Sequence, residues 1–248
     1  DGMTAEGDTM PISLIRSAWA GSAKYGALVW SGDIVSTFEC FRRQVQAGLN
    51  MAIAGIPWWT TDIGGFHGAR TDDPDFHRLY IRWFEYGCFC PVMRLHGNRN
   101  PQEGYGAEQI GSGSDNEIWS FGDKAYEISK KYIFLRERLR DYIRTQMKKA
   151  HEDGTPMMRP VFYDFPTDQE SWNVEDAYLF GPDLYVAPVM EDHVTEREVY
   201  LPDGTAWFNA WTGEKYEGGQ NVTVAAPLDT IPVFVKEGAD AEKLLNIF

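Results

Sequence analysis

Four short segments of this 248-residue chain combine carboxylates, cations and aromatic rings in a way that suits chemistry on a sugar. Trp30-Ser31-Gly32-Asp33 is followed by Trp59-Thr60-Thr61-Asp62-Ile63-Gly64-Gly65-Phe66, with Arg16-Ser17-Ala18 upstream and Met93-Arg94-Leu95-His96-Gly97 downstream. A sugar ring presents apolar C–H faces and a rim of hydroxyls. Flat side chains therefore supply a stacking surface while Asp, Arg and His orient the rim by hydrogen bonds. Both carboxylates sit on glycine-loosened turns just past an apolar run. Any one of Arg16, Asp33, Asp62 and His96 reads equally well as an ordinary loop residue, but the ordered series does not.

The elements that must hold these groups follow from apolar periodicity. Residues 11 to 97 alternate short apolar runs (12–15, 27–30, 51–56 and 91–95) with helical patterns, as expected of βα units around a parallel sheet. Between the second and third runs Phe38, Phe41, Val45 and Leu49 mark one helix face, with Ser36 and Glu39 as a capping box. Between the third and fourth, Asp73-Pro74 reads as an N-cap and first helical residue ahead of Phe76, Leu79, Trp83 and Phe84. Arg16, Asp33, Asp62 and His96 thus each follow a run and should converge at the carboxyl-terminal mouth of the sheet, where α/β barrels keep their sites.

A loop rich in Gly, Asn and Ser over 97–114 leads into one long helix expected over 124–151, whose Lys130, Lys131, Arg136, Arg138 and Lys148 read as a solvated face. After Pro156 the period changes to two. Strands are expected over 157–165, 177–185, 197–201, 206–211, 221–225 and 231–236, giving an antiparallel β-sandwich. Two domains are expected, 1–153 and 154–248.

With 23 Lys plus Arg against 37 Asp plus Glu, the net charge of −14 argues against nucleic acid or an anionic membrane as partner. A neutral substrate fits better. Cys40, Cys88 and Cys90 lack metal-site or redox spacing and read as buried free thiols, so neither a metal nor a cofactor is called for. No apolar stretch reaches the roughly 18 residues of a membrane span. The first residues lack the order of a secretory signal, which leans the expectation towards the cytoplasm and leaves export open if that end is trimmed. Trp172, Trp207 and Trp211 are placed among strand residues in a way that suits internal packing, against a carbohydrate-binding module.

Arg16-Ser17-Ala18, Trp30 to Asp33, Trp59 to Phe66 and Arg94-Leu95-His96 together resemble glycoside hydrolase family 31, the α-glucosidase and α-xylosidase family. The resemblance extends through Leu179 to Leu184, Ala187-Pro188-Val189, Pro227-Leu228-Asp229 and Pro232-Val233-Phe234, which look like the family's proximal carboxyl-terminal β-domain. It implies the last four strands or so of a (β/α)8 barrel followed by that sandwich. It also implies retaining cleavage of α-linked oligosaccharides, with Asp33 as general acid/base. Arg16, Asp62 and His96 would then hydrogen-bond the sugar, Trp30, Trp59 and Phe66 wall it, and Arg94 orient carboxylates behind it.

Residue types alone would pair Asp33 with Asp62 across about 5 to 5.5 Å. The family pattern instead puts the nucleophile on a strand ahead of Arg16, and nothing from Asp1 to Met10, including Asp1 and Asp8, has that form. The nucleophile and the amino-terminal half of the barrel are therefore expected in the same or a separate chain, since half a parallel barrel leaves apolar edges to cover. The alternative is a catalytically incomplete fragment that only binds sugar or completes a larger enzyme.

Overall fold

The computed structural model describes residues 2–7, 11–100, 114–238 and 240–248. Asp1 and Asp8, and residues 101–113 of the expected loop, lie outside them. A short helix α1 (Gly2–Ala5) precedes β1 (Ser13–Ile15), β2 (Ala27–Trp30), helix α2 (Phe38–Ile53), β3 (Trp59–Thr60) and helix α3 (Pro74–Cys88). The three strands form one parallel sheet in the order β1-β2-β3, with Ile15 opposite Val29, Val29 opposite Trp59 and Trp30 opposite Thr60. Side chains alternate across a strand, so Val29 and Trp59 share one face and Trp30 and Thr60 the other. Helix α2 covers the first face through Phe41, Val45 and Leu49.

Several local expectations shift by one step. The run 51–56 is the end of α2 rather than a strand, and the third strand is Trp59–Thr60. The run 91–95 is not a strand among the described residues, although Val92 N–H donates to Trp59 O (3.2 Å) and Ile63 N–H to Arg94 O (3.2 Å), which lays it beside β3. Thr37, not Ser36, caps α2: its Oγ1 accepts from the Cys40 amide at 3.1 Å. Glu39 pairs with Arg43 instead. Asp73 does cap α3, accepting from the Asp75 amide at 2.9 Å, with Pro74 next.

The long helix is two, α4 (Gly122–Arg138) and α5 (Arg140–Glu152), broken at the fully buried Leu139. Its charged face is also not all solvated. Arg136 turns inward and donates to Cys88 O (2.7 Å), Cys90 O (2.5 Å) and Pro91 O (2.9 Å), satisfying carbonyls at the end of α3.

Beyond Gly154 come β4 (Met158–Arg159), the helical turn α6 (Val161–Asp164), β5 (Tyr178–Phe180), β6 (Leu184–Val186), β7 (Glu196–Leu201), β8 (Ala206–Asn209), β9 (Lys215–Glu217), β10 (Gln220–Ala225), β11 (Val233–Lys236) and helix α7 (Ala241–Leu245). The expected strand 177–185 is a hairpin, because Gly181 turns the chain at φ 68°. Likewise the run 157–165 becomes helical after two strand residues, and β9 joins the expected strands. Six strands form an antiparallel sheet, β4-β5-β6-β11-β8-β9, and β7 and β10 pair separately.

One face of the six-stranded sheet sends Leu179, Tyr185, Trp207 and Phe234 against Val199, Leu201 and Val224 of the β7–β10 ribbon. The other sends Tyr178, Phe180, Val186 and Val235 into the cluster that includes Leu135, Phe89 and Met158. Both faces are buried, which is why polar residues do not alternate along β5, β6 or β11. Trp207 is internal as expected, and Trp211 half-buried. Trp172 is not internal: it is 56% exposed and stacks on Phe162 at 4.5 Å.

Candidate active site

Arg16 is the first residue past β1, Asp33 the third past β2 and Asp62 the second past β3, so parallel strands deliver all three to one edge. Gly32, at φ 76°, makes the turn that brings Asp33 back towards β1. Arg16 Nη2 donates to Asp33 Oδ2 at 2.6 Å, and the Arg16 guanidinium stands 5.7 Å from the Trp30 ring. Both partners are open to solvent, 63% and 41% exposed, so the pair contributes at most about 1 kcal/mol to folding and mainly orients the carboxylate.

Asp62 is the opposite case. Its side chain is fully buried; Oδ1 accepts a hydrogen bond from Arg94 Nη1, and Oδ2 has no partner among the described residues. Burial raises its pKa, opposed by Arg94 and His96 and reinforced by the charge of Asp33. Asp33, Arg94 and His96 thus each lie within electrostatic reach of Asp62. Phe66 and His96 complete the group, their ring centroids 5.4 Å apart.

Backbone bonds tie the two carboxylate loops together. Phe66 and His67 amides both donate to Ile34 O (2.7 and 3.0 Å), and the Ser36 amide donates to His67 O at 2.8 Å. The approach requires glycine: a Cβ on Gly65, which has φ 78°, would meet Ser36 Cα at 2.7 Å. The Asn98 amide then donates to Phe66 O at 2.9 Å, fastening the segment that carries His96.

Seven of the eight residues singled out in the sequence meet here: Arg16, Trp30, Asp33, Asp62, Phe66, Arg94 and His96. Trp59 does not. It is 2% exposed, and its indole lies on the helix side of the sheet, so close to Gly48 that a Cβ there would fall 2.7 Å from Nε1. It belongs to the core behind the site. Its neighbour Trp58 occupies the face shared with Trp30, half-buried, with a buried Nε1 that has no partner among the described residues. The parity of the strand was the missing information; β2 and β3 must be registered before either indole can be assigned a face.

A parallel sheet whose strand ends converge on an arginine-bound carboxylate, a buried carboxylate and aromatic rings is the arrangement that α/β barrels present at the carboxyl ends of their strands. Residues 1–146 match the Glycosyl hydrolases family 31 TIM-barrel domain and residues 154–239 the Glycosyl hydrolase family 31 C-terminal domain. The chain belongs to glycoside hydrolase family 31. An α-xylosidase from Saccharolobus solfataricus is 39% identical over 92% of this chain and 29% of its own length. "Alpha-glucosidase 2" of Bacillus thermoamyloliquefaciens is 35% identical over 92% of this chain and 27% of its own. Among solved structures, a family 31 α-xylosidase from a soil metagenome, complexed with xylose, superposes with a TM-score of 0.91 at 54% identity, over 98% of this chain and 37% of that one. The chain spans about a third of the length of these relatives.

Proposed function

We propose that this chain is the carboxyl-terminal part of a retaining α-glycosidase that cleaves α-xylosidic bonds, or α-glucosidic ones, in oligosaccharides, with Asp33 as general acid/base. Its two parts would be the last strands of a (β/α)8 barrel, to residue 153, and the sandwich that follows. The observation that carries this reading is the contrast between the two carboxylates. Asp33 is open to solvent and steered by Arg16, whereas Asp62 is buried against Arg94 with one oxygen unused. The open group suits proton exchange with a leaving oxygen and then with an attacking water. The buried one suits a sugar hydroxyl, because an acceptor already stripped of water binds a donor without further desolvation.

In this reading Arg16 and His96 bond the sugar rim, Trp30 and Phe66 wall it, Trp58 takes the walling role in place of Trp59, and Arg94 fixes Asp62. The nucleophilic aspartate comes from a strand ahead of β1, in the same or a separate polypeptide. The identity to α-xylosidases supports xylose over glucose. Replacing Asp33 with Ala should lower kcat of the parent enzyme by roughly 10² to 10⁴ on substrates with poor leaving groups and far less on 4-nitrophenyl glycosides. Equal activity of variant and wild type on both substrates would remove the assignment.

A second reading has its own observation. Ile12, just ahead of β1, is 72% exposed and Leu14 within it 40%, on an edge strand of the sheet, so an apolar surface faces outward. The 248 residues would then be catalytically incomplete by themselves and act as a complementing or sugar-binding half. Assay of the isolated chain on 4-nitrophenyl α-xyloside and α-glucoside tests it, since Asp33-dependent turnover without a partner would show a nucleophile within these residues and exclude this second reading.

A further inference from the structure

Arg99 belongs to none of the four motif segments, yet it is 1% exposed and sits under the loop that carries Asp62 and Phe66. Its Nη2 donates to Ile63 O at 3.0 Å and Nη1 to Gly65 O at 2.7 Å. Nη1 also reaches Ser36 Oγ at 3.4 Å, on the loop following Asp33, and Nε donates to Asn116 Oδ1 at 2.8 Å. The guanidinium lies over the Phe76 ring at 4.7 Å. Room for it is made by glycine: a Cβ on Gly97 would fall 2.5 Å from Arg99 Cζ, and one on Gly64 3.1 Å from Nη2.

Burying a guanidinium is costly, and here desolvation lowers its pKa to about 10. That cost is offset by hydrogen bonds to two loop carbonyls, one hydroxyl and one amide oxygen. A planar fork fixes the two carbonyls relative to each other, and those carbonyls flank the turn between Asp62 and Phe66. We propose that Arg99 is a positioning residue for glycoside binding: it sets where the free oxygen of Asp62 and the ring of Phe66 stand relative to Asp33. The inference rests on the function proposed above and deepens it.

Lysine keeps the charge but carries a point-like ammonium in place of the planar fork. Arg99→Lys in the parent enzyme should therefore lower kcat/KM about 10²-fold, the cost of an ångström-scale misplacement, by raising KM as well as lowering kcat. The loss should be equal on a 4-nitrophenyl α-glycoside and on an oligosaccharide with a poor leaving group, because sugar placement and not protonation is disturbed. Asn116→Ala leaves Arg99 in place and frees only its Nε, so it should show the same substrate-independent loss in smaller measure, and it decides the matter if Arg99→Lys does not fold. Wild-type kcat/KM in both folded variants, with only a lowered Tm, would reduce Arg99 to a structural role. A loss confined to the poor leaving group would also overturn the proposal. Asp33→Ala in the same assay tells the two failures apart, since a parent without Asp33-dependent turnover fails at the proposed function itself.

Discussion

The two sheets of this molecule solve the same burial problem to different degrees. In the six-stranded antiparallel sheet, Leu184, Tyr185 and Val186 are consecutive and all fully buried, because helices cover one face and the β7–β10 ribbon the other. In the three-stranded parallel sheet, Val29 and Trp59 are buried under α2, while on the opposite face Leu14 stands 40% exposed and Leu28, Trp30 and Trp58 are half-buried. Parallel sheets ordinarily bury both faces. The candidate site residues all lie on or beside the sheet that is covered on one side only. The sandwich part thus closes on itself, and the parallel part keeps open the edge at which Arg16, Asp33 and Asp62 meet.

The contrast predicts a large difference between the two sheets. Trp207→Ala should cost about 3 to 5 kcal/mol in urea denaturation, since Trp207 is fully buried between sheet and ribbon. Leu14→Ala on β1 should cost well under that in the chain alone, and several-fold more in a parent enzyme whose barrel covers β1. Equal costs for Leu14→Ala in both settings would mean that nothing packs on this face.

A second experiment sharpens the contrast within the site. Arg94→Ala strands a fully buried carboxylate, for which about 3 kcal/mol is expected near neutral pH. Asp62→Ala should cost less, because Arg94 is 23% exposed and can be hydrated. The sign of the pH effect follows from burial raising the Asp62 pKa: the protonated form is favoured in the fold, so the Arg94→Ala deficit should shrink as pH falls. Denaturation at pH 5 and pH 8 checks both points.

A third experiment concerns the seam between the two sheets. Arg82 on α3 donates to Val194 O, Ala226 O, Pro227 O and Thr230 O, and it pairs with the fully buried Glu85 at 3.2 Å. Burial outweighs Arg82 and pushes Glu85 up to about 8 from an ordinary 4.5. Its contribution to stability is therefore complete below about pH 4.5 and is lost as pH rises through 8, by at most about 1.4 kcal/mol per pH unit. Glu85→Gln should flatten that decline in a series of thermal melts from pH 5 to pH 8. An unchanged slope would place the titration elsewhere.

Much of the site could be read from residue order. Ser31 to Asp33 and Asp62 to Phe66 stand just after β2 and β3, and the Asp73-Pro74 cap lies where local chemistry puts it, because caps and turns depend on neighbours in the chain. The elements that differ do so for two kinds of reason, local at Gly181 and Leu139 and non-local at Arg136. Gly181 breaks 177–185 into a hairpin whose two strands are then buried alike, and the Leu139 break is invisible to a pattern that continues apolar through it. Cationic Arg136 reads as solvated until α3 supplies carbonyls for it.

The chain by itself determined which groups gather at one edge, since the order and type of Arg16, Asp33, Asp62 and His96 already imply an edge where strands end. It did not determine which face each ring takes, nor that Arg99 would lie beneath the Asp62 loop. Those outcomes depend on strand register and on loops meeting across 63 positions of sequence, as Ser36 and Arg99 do. Only packing in three dimensions sets such contacts, because a side chain's face depends on the partner strand and a buried guanidinium's position on the carbonyls that surround it.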